Sequence, residues 1–217
     1  MKLSENALTV LKNFASINSG VVLNAGKVQK TISPEKSILV EATLEDDVPT
    51  KFGIYDLNQF LGNVTTLRNP ELTFKNESVV LDDGELAFDY MACSSNLIIT
   101  PPEKELVLKT VDVKFTLPNA MFQKLLKMAT MNSLPNLSVE GKEGSLNLLI
   151  HEKANDTSNR GAVKIGDYAG KDFIATFKTE NLKLVPDDYD VEVQTGAFAK
   201  FENKAGNLKY WIALETK

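Results

Sequence analysis

Cysteine and histidine are nearly missing from this chain: Cys93 and His151 are each the only residue of their kind among 217. A single thiol excludes an intramolecular disulfide and a thiolate metal cluster, so Cys93 reads as a small buried residue. A single imidazole removes histidine metal clusters and repeated Ser-His-Asp arrangements, and His151, at a strand end, reads as a satisfied or solvated side chain. No stretch of 18 apolar residues occurs, and the first thirty residues hold no basic segment followed by an apolar run. A soluble cytosolic protein with no membrane partner is expected, where the Asn-x-Ser/Thr matches at Asn63, Asn76, Asn136 and Asn155 carry no weight.

Catalytic signatures are missing as well. Gly166-Asp-Tyr-Ala-Gly-Lys171 fails as a phosphate loop, because Ile165 stands five residues before Gly170 and Asp172 stands where Ser or Thr is needed. Neither G-x-G-x-x-G nor G-x-S-x-G is present. The acidic pairs Asp46-Asp47, Asp82-Asp83 and Asp187-Asp188 lie in turn-like contexts, and adjacent strand residues point oppositely, so they read as turn residues rather than metal or acid-base pairs. These gaps disfavour an enzyme, and no cofactor or metal is expected.

What is present is amphipathic and unevenly charged. The net charge of −5 argues at first against a nucleic-acid partner. It divides unequally, with 9 Lys/Arg against 15 Asp/Glu in residues 1 to 105 and 15 against 14 in residues 106 to 217. Such a chain lacks a broad positive patch but has room for a local one. Residues 119 to 132 have helical period, with Phe122, Leu125, Leu126 and Ala129 on one arc and Gln123, Lys124 and Lys127 on the other. Taken alone, Lys124 and Lys127 read more readily as the solvated back of a helix.

Residues 4 to 18 read as a helix capped by Ser4, with Ala7, Val10, Leu11 and Phe14 opposite an arc of Lys2, Glu5, Thr9, Lys12, Asn13 and Ser16. Short β-rich runs follow at 21–24, 27–32, 37–43 and 51–55, then a short helix at 56–64 capped by Asp56, then strands at 71–75, 78–81 and 85–92. Residues 94 to 105, with Pro101 and Pro102, read as an extended connector. The order then recurs: a strand at 107–117, the helix from Asn119, strands at 137–140, 145–151, 161–165 and 172–178, a short helix at 179–185, and strands at 189–193, 196–202 and 207–215. An α+β chain of two similar units is expected, residues 1 to 105 with the connector and residues 106 to 217, each with two helices on β-sheets. The helix arcs would then present Lys2, Lys12, Arg68, Lys124, Lys127 and Lys183, a sparse basic stripe suited to loose, sequence-independent phosphate contact. No Arg/Asn/Gln trio for base reading and no aromatic ladder for single strands accompanies it. A β-rich protein-binding adaptor with merely solvated lysines is the alternative.

Several runs carry a family resemblance: Met-Lys-Leu-Ser at the start, Leu11-Lys-Asn-Phe-Ala-Ser-Ile-Asn-Ser-Gly20, Ile54-Tyr-Asp-Leu-Asn-Gln-Phe-Leu-Gly62, Gly166-Asp-Tyr168 and Ala213-Leu-Glu215. With them the chain resembles the sliding clamps, the DNA polymerase processivity factors of T4-like bacteriophages, over nearly its whole length. The resemblance implies a non-enzymatic subunit of two clamp-type domains (the DNA clamp fold), three of which close head to tail into a homotrimeric ring around duplex DNA in the cytoplasm of the infected bacterial host cell. It makes Lys2, Lys12, Arg68, Lys124, Lys127 and Lys183 DNA-facing, with Glu5 weakening the field beside Lys12. It puts Leu86, Phe88, Tyr90 and Met91 at one subunit edge and Ala162, Val163, Ile165 and Tyr168 at the other. It makes Ile98, Ile99, Pro101 and Pro102 the candidate dock for partner tails, above all the C-terminus of the replicative DNA polymerase. It also implies an ATP-driven clamp loader and, in some phages, late-transcription factors as partners.

Overall fold

The computed structural model describes residues 1 to 104 and 106 to 215, which divide between two compact units, Met1–Glu105 and Leu106–Lys217. In the first, α1 (Glu5–Ile17) starts where Ser4 accepts a hydrogen bond from the Ala7 N–H, and Asp46 fixes Ser4 in turn by accepting from its N–H at 2.8 Å. Side-chain oxygens here satisfy backbone donors that a helix start leaves unpaired. The chain continues through β1 (Val21–Leu23), β2 (Gly26–Ile32), β3 (Ile38–Val48) and β4 (Phe52–Ile54) to α2 (Leu57–Thr66), capped by Asp56 on the Gln59 N–H. It closes with β5 (Glu71–Phe74), β6 (Ser78–Asp82) and β7 (Ala87–Met91). All pairings are antiparallel: β1 with β4, β2 with β3, and β5-β6-β7 in order. The helices bury Ala7, Val10, Leu11, Phe14 and Ile17 from α1 and Leu57, Phe60, Leu61 and Val64 from α2, the spacing of one helical face.

The second unit opens with β8 (Val113–Leu117) and α3 (Asn119–Met131), whose first N–H donates to Asp188 Oδ1 at 2.7 Å. Then come β9 (Asn136–Lys142), β10 (Ser145–His151), β11 (Gly161–Asp167), β12 (Phe173–Lys178), β13 (Tyr189–Gln194), β14 (Phe198–Asn203) and β15 (Leu208–Ala213). One antiparallel layer runs β11-β10-β9-β12 and the other β8-β13-β14-β15. Phe177, Phe201, Tyr189 and Tyr210 form an edge-to-face chain between the layers, with neighbouring centroids 5.8 to 6.5 Å apart. Burial pushes both tyrosine hydroxyls well above the ordinary phenol range.

The chain is α+β, with one departure from the expected element count. Residues 179 to 185 form no α-helix, only a 3₁₀ turn at Thr179–Asn181. Leu182 and Leu184 are buried on either side of exposed Lys183, the alternation of an extended segment. Val185 donates to the Tyr210 hydroxyl and accepts from that of Tyr189, so its backbone groups are unavailable to a helix. Pro186 then forbids continuation. The first strand of this unit is also shorter than expected, because residues 107 to 112 enter no ladder.

Candidate nucleic-acid interface and docking edges

On α1 the exposed stripe is Glu5, Thr9, Lys12 and Ser16; on α3 it is Gln123, Lys124, Lys127, Met128 and Met131. Lys124 and Lys127, three residues apart, share one face. Like charges at that spacing cost a helix about 0.2–0.5 kcal/mol, a penalty that an anion would relieve. The exposed face of α2 (Asn58, Gln59, Gly62, Thr65, Thr66) carries no charge, and both threonine hydroxyls donate back to helix carbonyls. Arg68 follows α2, held where its N–H donates to Asp83 Oδ2 at 3.2 Å. Asp83 also accepts from Leu86 and Glu85, and these backbone donors hold its carboxyl below the usual range.

Lys2, Lys12, Arg68, Lys124, Lys127 and Lys183 are all exposed, although Lys183 sits on the extended segment rather than on a helix. Among the described residues, Lys2, Lys12, Arg68, Lys124 and Lys127 take part in no ion pair. Lys30, Lys75, Lys114, Lys164, Lys200 and Lys204, all on strands or beside them, are each paired with a carboxylate.

Strands β7 and β11 each close one side of a sheet, and among the described residues neither has a partner on its outer side. Leu86, Phe88 and Met91 are exposed along β7 and just before it. Tyr90 is not available there: its ring is buried edge-on against Phe60 at 5.2 Å, and its hydroxyl donates to the Asp56 carbonyl. On β11 Ala162 is exposed while Val163 and Ile165 are half-buried. Tyr168 folds back on Phe173, centroids 5.2 Å apart, and the two rings occupy the space a side chain at Gly141 would need.

In the connector, Ile98 also turns inward. Its side chain lies over Gly20 and Gly53, whereas Ile99 and Pro102 are exposed and Pro101 is half-buried. Sequence reasoning passed over Leu97, 69 % exposed on a 3₁₀ turn (Ser95–Leu97). Its apolar character directly after the polar run Ser94-Ser95-Asn96 was the available signal.

Asp46 and Asp47 lie within strand β3 rather than in a turn, because the strand runs on to Val48; the other acidic pairs sit at turns, where backbone or side-chain donors hold them. Besides Asp46, Asp83 and Asp188, Asp82 accepts from the Gly84 N–H, where φ is +90°, and Asp187 accepts from Asn203. His151 Nε2 shares a 2.8 Å hydrogen bond with Ser138, which bonds Thr176 at the same distance. Among the described residues no group of three or more His, Cys, Asp or Glu could hold a metal. Among the described residues no helix is long and apolar enough to cross a membrane.

The comparisons with known proteins fit this picture. Residues 4–84 match the model of the family described as DNA polymerase processivity factor. The sliding clamp of Vibrio phage KVP40 is 29 % identical over 99 % of both chains. The sliding clamp of Enterobacteria phage T4 is 27 % identical over 99 % of this chain and 97 % of its own. Among solved structures, A. fulgidus PCNA superposes with TM-score 0.70 at 14 % identity, covering 97 % of this chain and 95 % of the other. PCNA from Thermococcus kodakaraensis gives 0.68 at 16 %, covering 96 % and 95 %. Over nearly its whole length, and on the same α+β fold, this chain is similar to the sliding clamps of T4-like bacteriophages.

Proposed function

We propose that the chain is one subunit of a ring-shaped processivity factor that encircles duplex DNA and tethers the phage replicative polymerase to it. The observation that carries this reading is on the exposed stripes of α1 and α3, where Lys12, Lys124 and Lys127 take part in no ion pair among the described residues, while most of the strand lysines are held by carboxylates. Lys2, Lys12, Arg68, Lys124, Lys127 and Lys183 would face the phosphates, too few and too scattered for tight adhesion. The ring supplies retention by topology, so weak contact is compatible with sliding. Three copies would close head to tail, edge β7 of one against edge β11 of the next. Leu86, Phe88 and Met91 would meet Ala162, Val163 and Ile165, the backbone of Tyr90 would join the ladder, and Tyr168 would flank it. The protein does no chemistry itself; an ATP-driven loader would open the ring. The polymerase tail would dock on Ile99, Pro101 and Pro102 with Leu97, and late-transcription factors are further candidates for that surface.

The first test is solution mass by light scattering over a dilution series. A species of three times the 23.9 kDa subunit, dissociating on dilution, is expected. Binding to short open duplex should be weak and steeply salt-dependent, and retention stable only on closed or end-blocked DNA. A strict monomer at high concentration, or salt-resistant binding to open duplex, would sink the ring and favour an adaptor.

A further inference from the structure

The segment that follows β7 does not leave its unit freely. The Cys93 N–H donates to the Gly53 carbonyl at 2.8 Å, and a Cβ at Gly53 would run into the carbonyl oxygen of Cys93. Only glycine lets the two backbones approach so closely. Ile98 then drops into the space that Gly20 and Gly53 leave open, its carbons 3.4 Å from where their side chains would begin, and it is 8 % exposed. One residue on, the Ile99 carbonyl accepts from Asn18 Nδ2 at 3.1 Å.

Asn18 is the C-cap residue of α1 and is itself 7 % exposed. Both amide hydrogens and the oxygen are engaged: Nδ2 also donates to the Ile32 carbonyl at 3.0 Å, and Oδ1 accepts from the Gly20 N–H at 3.2 Å. A buried amide with three backbone partners from three chain segments is a fixed point, because each group left unpaired there costs about 1–3 kcal/mol. A residue that merely ended the helix would need only its backbone, which already donates to Phe14. The residues on either side of Ile98, Leu97 and Ile99, are the apolar side chains the segment turns outward.

We propose that Asn18 is a positioning residue for partner capture: it pins the connector to α1 and so holds Leu97 and Ile99 outward in the one arrangement a partner's apolar tail meets. Preorganisation of this kind raises affinity by removing the ordering cost at binding. The proposal rests on the reading of the connector as the partner dock.

The experiment uses the full chain and a peptide of the cognate polymerase's C-terminus, with three variants. Asn18→Ala removes the pin, Ile98→Ala empties the slot without touching α1, and Ile99→Asp spoils the presented surface while leaving the pin. Asn18→Ala and Ile98→Ala should each speed hydrogen exchange at the Cys93, Leu97 and Ile98 amides and weaken peptide binding by roughly tenfold, as lost preorganisation predicts. Exchange in β5-β6-β7 and the assembly mass should stay unchanged. Ile99→Asp should abolish binding without altering exchange. If Ile99→Asp binds normally, the dock lies elsewhere and the proposal falls with it. If Ile99→Asp fails to bind while both other variants keep native exchange or native affinity, the dock stands and Asn18 has no positioning role.

Discussion

Lysines of one kind meet two fates in the second unit. On the sheet β8-β13-β14, Lys114 lies 2.9 Å from Glu192, Lys200 2.6 Å from Glu202 and Lys204 2.5 Å from Asp190, which also accepts from Thr116. The register sets Lys114 against Glu192 and Glu192 against Lys200, so the charges alternate across three strands and cancel. The carboxylate raises the pKa of Lys114, and Lys204 lowers that of Asp190. On α3, Lys124 and Lys127 have only each other, with no carboxylate on their stripe. A paired cation has little left to offer an anion; an unpaired one presents its full field. Net charge therefore does not report the local field, since several acidic residues are engaged by lysines on the sheets or by backbone donors at caps and turns.

The largest effect should come from breaking the proposed ring contact at the β7 edge. Phe88→Asp on the exposed β7 edge should shift the solution mass from trimer to monomer and abolish stimulated synthesis on circular template, with thermal stability retained because Phe88 is half outside. A trimer that survives would move the interface away from β7. Next, Lys124→Glu with Lys127→Glu should lower processive synthesis by at least about tenfold at moderate salt, since each lost phosphate contact removes part of a salt-dependent binding term. The same reversal at Lys114 and Lys204 sharpens the contrast: processivity should stay near wild type. Equal losses from both pairs would erase the distinction between the two faces. Smaller still is Lys204→Met, which should let Asp190 titrate nearer its ordinary range, checked by carboxyl NMR, at a stability cost below about 1 kcal/mol for so exposed a pair.

How much of this was legible in the sequence depends on the range of the interaction. The helices showed through their apolar spacing and through Ser4 and Asp56, because caps and periodicity are local. The strand from Ser145 to His151 was legible by alternation, and the turn at Asp82-Asp83-Gly84 by its residue types. The misread helix at 179–185 was a local error: Leu182 and Leu184 repeat every second residue, unlike Leu57, Phe60, Leu61 and Val64 of α2. Other features were beyond local reading. Phe88 and Tyr90 lie opposite Leu81 and Val79 on one face of β7, and only the cover from Phe60 decides that Tyr90 is buried and Phe88 not. Ile98 is buried because two distant glycines vacate a slot. Which lysines stay unpaired follows from register between strands 78 residues apart in the chain, as with Lys114 and Glu192.

The smallest expected effect concerns His151, whose pairing with Ser138 makes it the sheet's neutral counterpart to the charged lysines. Burial lowers its pKa below the ordinary value of 6.5, outweighing Glu140 and Glu215, which pull it upward; Lys153 lowers it further. With the folded pKa depressed, the unfolded chain takes up the proton first as pH falls. The native advantage present above about 6.5 is therefore lost as pH drops from there through the folded value. No other histidine exists to share that window. His151→Gln keeps a hydrogen-bonding group near Ser138 but cannot titrate. Thermal unfolding at pH 7.5 and 5.5 should show a larger fall in Tm for the wild type than for His151→Gln. Identical falls would mean that the ring is as easily protonated folded as unfolded, and that the sheet around Ser138 and Thr176 does not exclude charge.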